Sequence, residues 1–256
     1  MGALATPVVR WGILGTGRMA RDFALDLRRV PDAQLSAVGS RSPDRARAFA
    51  AVSGADRAYG SYEELVADSA VDVVYVATPN SQHRQNCLLA LSAGKAVLCE
   101  KPFATSAREA RDVVALARQQ RLFCMEAMWT RFLPLVARAE RLVSDGQIGE
   151  PLAFRADFGI AVKSRAGRLF SPDLGGGALL DLGVYLVAMA RSFLGPPEEA
   201  RGFARIGPTG VDEQVSILLR HPGERHSQLL ASVLSETPGE ALVLGTHGRL
   251  RIHAPF

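Results

Sequence analysis

The chain has 256 residues, enough for one large domain or two modest ones, each with a core of its own. Its 48% hydrophobic and 22% charged content is that of a globular protein, and no apolar run approaches the roughly 20 residues of a membrane span. The formal net charge of +4 is spread over scattered arginines with no basic arm or helix, which argues against a nucleic-acid partner and leaves positive charge for an anionic cofactor.

Residues 1–7 lack the basic and apolar regions of a secretion signal. An unbroken apolar strand is predicted over 8–14, then a helix over 19–29 stopped by Pro31. A second strand follows at 33–39, and a helix at 44–51 opened by the cap Ser42 and Pro43. Next come a strand at 71–77, a helix at 82–93 ended by Gly94, a strand at 96–99, a helix at 106–119 and a strand at 122–126. Buried strands separated by helices make a parallel sheet covered on both faces, so residues 1–127 are read as a doubly wound α/β domain. The cysteines Cys87, Cys99 and Cys124 are odd in number and without metal-ligand spacing; Cys99 and Cys124 sit in apolar runs. A reducing cytoplasm and no bound metal are expected.

From Trp129 the pattern changes. A helix at 133–143 ends at Asp145-Gly146, strands are predicted at 152–158, 201–206, 215–220, 227–234 and 242–244, and one apolar helix runs over 178–193. Strands grouped around one long helix predict an α+β second domain over 128–256 on a mostly antiparallel sheet. The chain stops inside a strand or hairpin begun at Arg249, so that sheet is expected to be incomplete.

Between the first strand and helix lies Gly15-Thr16-Gly17-Arg18-Met19-Ala20. Gly15 permits a tight turn, Gly17 lets a pyrophosphate approach the backbone, and Ala20 allows close helix–strand packing, while the helix N-terminus offers N–H groups to phosphates. A glycine-rich turn alone is a weak signal; its strand–turn–helix setting makes it a Rossmann dinucleotide site. An NAD-selective site carries Asp or Glu about 20 residues further on. Here the second strand ends in Gly39-Ser40-Arg41-Ser42, and Ser40 with Arg41 suits the 2′-phosphate of NADP(H), with Arg18 and Arg45 adding charge. The competing reading makes Arg41 a solvated loop residue.

The stretches Val76-Ala77-Thr78-Pro79-Asn80-Ser81-Gln82-His83, Glu100-Lys101-Pro102 and Gly175-Gly176-Gly177 leading to Asp181, Gly183 and Tyr185 resemble the Gfo/Idh/MocA oxidoreductase family. With Glu126 to Phe132 they look most like its dimeric dihydrodiol dehydrogenase and D-xylose dehydrogenase branch. The resemblance implies that Thr78, Pro79, Asn80 and His83 line the cofactor channel near the nicotinamide, that Glu100 contacts its ribose, and that Trp129 lies beside nicotinamide and substrate. Trp129 and Phe158 read equally as packing residues, and His83 as a structural histidine at a helix start. Lys101 follows a buried strand, where a lysine is costly unless it meets a partner. Asp181 and Tyr185 are four apart and share one face of an apolar helix, and Asp181 there needs a partner or the helix dipole.

The expected reaction is hydride transfer between nicotinamide and the carbinol or carbonyl carbon of a sugar or trans-dihydrodiol. Tyr185 is the expected acid/base. An unperturbed tyrosine pKa near 10 suits neutral pH poorly, and a lysine ammonium close by favours phenolate. The resemblance supplies that proximity for Lys101, with Asp181 orienting the cluster; Trp129, Phe158, Asp181 and Tyr185 form the candidate substrate site. Three alternatives stay open: a sugar reductase or inositol-type dehydrogenase of the same fold, a non-catalytic NADP-sensing regulator, and an inactive fragment. Relatives run on past position 256 with strands that complete the second sheet, through which full-length members form homodimers.

Overall fold

In the computed structural model, residues 7–254 are described, and the chain divides into two compact units, Met1–Ala127 and Met128–Phe256. In the first, strands β1 (Val9–Leu14), β2 (Ala33–Gly39), β3 (Arg57–Tyr59), β4 (Val73–Val76), β5 (Ala96–Cys99) and β6 (Cys124–Glu126) pair in parallel in the order β3-β2-β1-β4-β5-β6. Ile13, Leu14, Ala37, Val38, Val74 and Val76 are fully buried, as unbroken apolar strands require. Helices α1 (Arg18–Leu27), α2 (Pro43–Ser53), α3 (Tyr62–Ala67), α4 (His83–Ser92) and α5 (Ala107–Gln120) connect them. The strand order reverses between β1 and β4, the switch point where open α/β sheets bind ligands.

Local chemistry sets the helix starts. Ser42 accepts a hydrogen bond from the Arg45 N–H with Pro43 in the first turn, and Ser106 accepts from the Glu109 N–H. The short pair β3 and α3 is absent from the elements predicted by the sequence pattern. A three-residue edge strand and a six-residue helix are too brief to show a hydrophobic period, and only the Ser61 cap, which accepts from the Glu64 N–H, marks the helix.

In the second unit, β7 (Pro151–Gly159), β8 (Glu199–Ile206), β9 (Asp212–His221), β10 (Arg225–Ser232), β11 (Ala241–Gly245) and β12 (Arg249–Ile252) form a sheet in the order β12-β11-β7-β10-β9-β8. Within this second sheet, among the described residues, only β7 and β10 run parallel and the other pairs are antiparallel. Helix α6 (Pro134–Ser144) precedes it, and α7 (Val184–Leu194) packs Leu186, Met189 and Phe193 against Phe154, Ile217 and Leu229 of the sheet. The opposite face carries Arg155, Ser216, Leu218 and Gln228, which line a shallow concavity of about 810 Å³ remote from α7.

Two details depart from expectation here. The helix predicted over 178–193 opens with a π-helical segment, Leu179–Gly183, before α7 begins; such widened turns recur at functional sites. The segment Pro172–Leu194 reaches a mean hydropathy of 1.5, long and apolar enough by composition to cross a membrane. Its apolar side chains serve as the inner layer of the second unit, where 61% of that window is buried.

Candidate active site

Gly15 sits at φ +103°, and a Cβ there would come within 2.6 Å of the Ala77 carbonyl, so β1 and β4 can lie this close only with glycine at the turn. A Cβ on Gly17 would meet nothing, which leaves open space in front of α1. Gly17 is the N-cap of that helix and no side chain caps it, so its first N–H groups point into that space. Thr16 is half-buried, Arg18 and Met19 are exposed, and Ala20 is buried against the sheet. The cradle fits a pyrophosphate.

At the end of β2, Ser40 is buried and its Oγ accepts from the Ser42 N–H at 3.3 Å. Arg41 is exposed and its guanidinium lies near the Tyr62 hydroxyl; burial pushes the Tyr62 phenol up, and Arg41 and Arg45 pull it back. Two guanidinium groups thus gather beside the first turn of α2, and no carboxylate stands in the 39–42 segment.

The loops after β4 and β5 are tied together from below. His83 is fully buried, with Nδ1 2.7 Å from the Pro102 carbonyl and Nε2 2.9 Å from the Thr78 carbonyl. Each ring nitrogen thus faces the carbonyl of a different loop, and the tautomer decides which of the two receives the N–H of a neutral imidazole. His83 therefore holds the two loops in register as well as belonging to their motif. Asn86 Nδ2 donates to Thr78 Oγ1 at 2.9 Å, and Asn80 is buried beside Pro79, which is half-buried. Glu100 accepts from Tyr75 Oη at 2.5 Å and from the Lys101 N–H at 3.1 Å, while Glu126 accepts the Phe103 N–H at 2.9 Å. Lys101, joined to Pro102 by a cis peptide, is half-buried at this carboxyl edge of the sheet. Below it Cys87 and Cys99 are buried reduced thiols, and burial pushes the Cys124 thiol up to about 12.

In the second unit, Tyr185 is 7% exposed near the start of α7. The indole of Trp129, in the 3-10 turn Trp129–Phe132, donates from Nε1 to Tyr185 Oη at 3.1 Å. The Phe158 ring lies 5.9 Å from the phenol ring at 50°, so Trp129, Phe158 and Tyr185 form one aromatic cluster. Asp181, one turn before Tyr185, is buried and its Oδ1 accepts from Arg168 at 2.7 Å. Its partner is thus an arginine from the loop after β7, a residue that the sequence pattern does not single out.

The helix N-terminus is served by another carboxylate. Asp212, at the start of β9, accepts from the Leu179 N–H at 2.6 Å, and burial pushes its carboxyl up while the Leu179 and Ala178 N–H groups pull it back. Gly177, at φ +119°, faces it, and any Cβ there would collide with that carboxylate, which accounts for the third glycine of the run. Asp212→Ala removes the cap of the segment carrying Asp181 and Tyr185, at a cost of about 1 kcal/mol. The expected thermal midpoint falls by about 2–4 °C. Asp212→Asn, which keeps an acceptor, should recover most of that in the same melting experiment.

Asn86, Tyr75, Arg168 and Asp212 are the residues of this architecture that sequence reasoning passes over. Asn86 is a polar position on the buried face of α4 and Tyr75 a hydroxyl inside a buried strand; each is a buried polar group in need of a partner. Arg168 and Asp212 are loop and strand-end residues with no local signal of their own.

The two units together are those of an oxidoreductase with an NAD(P)-binding Rossmann domain. The Gfo/Idh/MocA oxidoreductase model with an NAD-binding Rossmann fold matches residues 9–128, and the family's C-terminal domain model matches residues 136–251. The chain belongs to the Gfo/Idh/MocA oxidoreductase family. It is 43% identical over 248 residues to trans-1,2-dihydrobenzene-1,2-diol dehydrogenase of Mus musculus, which spans 95% of this chain and 74% of the relative. A 3-ketoreductase from Actinomadura kijaniata, solved with NADP and TDP-benzene, superposes with a TM-score of 0.87 at 31% identity over 96% of this chain and 77% of its own. An NAD binding oxidoreductase from Klebsiella pneumoniae does so with a TM-score of 0.89 at 29% identity, over 96% and 73%.

Proposed function

We propose that the chain is an NADP(H)-dependent dehydrogenase that interconverts the carbinol and carbonyl forms of a trans-dihydrodiol or related cyclic polyol. The observation that carries this reading is the Tyr185 phenol, nearly buried, with an indole N–H on its oxygen and the Phe158 ring beside it. The rings suit the flat face of a carbocyclic diol, in keeping with the name of the Mus musculus relative.

Gly15 to Ala20 and the uncapped start of α1 would hold the pyrophosphate, Ser40 and Arg41 the 2′-phosphate, and Thr78, Pro79, Asn80 and Glu100 the nicotinamide half. The bound cofactor supplies the hydride donor or acceptor. Tyr185 takes the hydroxyl proton in oxidation and returns it in reduction. The family resemblance gives Lys101 the part of the cation that favours phenolate at neutral pH. Asp181, neutralised by Arg168, fixes the turn on which Tyr185 stands.

The test is turnover. NADP-linked oxidation of trans-1,2-dihydrobenzene-1,2-diol is expected to exceed NAD-linked oxidation and to outpace a panel of aldoses and inositols. Tight NADPH binding without turnover on any of them would replace the enzyme reading with a sensor.

A further inference from the structure

Resting on the reading of Tyr185 as the proton carrier, we propose that Trp129 is a positioning residue for that proton. Its indole N–H occupies a lone pair of the phenol oxygen, directs the phenol hydrogen away from itself and toward the reacting oxygen, and stabilises the phenolate left behind.

The direction of the bond is unambiguous. An indole nitrogen only donates, so at 3.1 Å the phenol oxygen is the acceptor, whichever protonation state the tyrosine holds. The phenol hydrogen is therefore committed to an acceptor other than the indole. The rings meet edge to face, at 71° with centroids 6.0 Å apart, a geometry that turns the N–H edge of the indole onto the oxygen. Phe158, the other aromatic neighbour, carries no charge and offers no donor.

The indole is set by the backbone around it. Trp129 is 47% exposed, but its neighbours Met128 and Thr130 are 4% and 2% exposed and pin both sides of the turn. A side chain held in this way costs little to keep in place while its ring remains half open. When the phenol loses its proton, the contact becomes N–H to O⁻, and charge-assisted hydrogen bonds are about twice as strong as neutral ones. In reduction the added strength appears only as charge develops on the phenol oxygen, which is the kind of interaction that raises turnover and leaves ground-state binding alone.

The decisive variant replaces Trp129 with its benzothiophene isostere, which keeps the bicyclic shape and deletes one N–H. The expected result is a fall of about 10–100-fold in kcat for NADPH-linked reduction of the carbonyl form, the direction in which the phenol gives up its proton, with KM within about twofold and a larger solvent deuterium isotope effect. Trp129→Phe should match it. A merely structural tryptophan would leave the isostere with full kcat, and that outcome overturns the proposal. A second readout does not need turnover. The chain has two tryptophans, Trp11 and Trp129, so its proton–nitrogen spectrum has two indole signals. Tyr185→Phe should move the Trp129 signal upfield and leave that of Trp11; an unmoved signal also overturns the proposal. Undiminished turnover by Tyr185→Phe would instead remove the proton-carrier reading on which it rests, whichever way the indole signal goes.

Discussion

Tyr185→Phe and Lys101→Met are each expected to lower kcat by roughly a thousandfold, within the range that positioned proton transfer contributes. On the proposed reading, removing the hydroxyl removes the proton carrier. On the same reading, removing the ammonium leaves a tyrosine with an unperturbed pKa near 10, almost wholly protonated at neutral pH, so the base form needed for oxidation becomes scarce. Both variants should fold. Tyr185→Phe deletes one oxygen from a side chain whose ring contacts with Trp129 and Phe158 persist, and Lys101→Met keeps the length of a half-buried chain. NADPH affinity, followed by quenching of tryptophan fluorescence, should stay within about threefold of the parent, since uniform binding is not what these groups supply. Single-turnover measurements then separate the chemical step from release. Turnover retained in both variants would remove the assignment.

How much of this arrangement was readable in advance depends on how local each signal is. The glycine turn, Ser42 before Pro43 and the apolar strands are local: each encodes a backbone conformation or a burial state within a few residues, and β2 and β5 fall where the pattern predicts, at Ala33–Gly39 and Ala96–Cys99. The π-helical segment is not local. A helix of Leu, Ala, Val and Met has the same hydrophobic pattern whether its first turn is α or π; what holds the widened turn is Asp212, more than thirty positions away. The same holds for Asp181. Its place in an apolar helix announced a need for a partner, but Arg168 lies in a loop where arginine is ordinary.

His83 and Trp129 show a second limit. Residue type and motif mark both as part of the site, yet what each does depends on the atoms opposite it. His83 faces two carbonyls, so its role is to join the Thr78 and Pro102 loops beneath the ligand-facing surface. Trp129 faces a phenol oxygen, which turns an aromatic wall into a hydrogen-bond donor. Pattern identifies such positions; only the geometry says which atom of the side chain acts.

On the proposed NADP(H) reading, the end of β2 sets cofactor choice, and Arg41→Ala is the variant that tests it. The guanidinium is exposed and leans on the Tyr62 hydroxyl, with Arg45 beside the same phenol, so a 2′-phosphate arriving there meets two cations and the first turn of a helix. Solvent screens an exposed pair, which puts the expected loss at the low end of a charge-assisted bond, a rise of about tenfold in KM for NADPH. KM for NADH, which has a hydroxyl in place of that phosphate, should change by less than about twofold. Raising the salt concentration should narrow the difference in the parent and leave the variant nearly unmoved, because screening acts on the charge that the variant lacks. Tyr62→Phe serves as the control: it removes the hydroxyl beside Arg41 while leaving the guanidinium, and should cost NADPH far less than Arg41→Ala. Equal losses for NADPH and NADH in the Arg41 variant would mean that the arginine steadies the loop and does not read the phosphate.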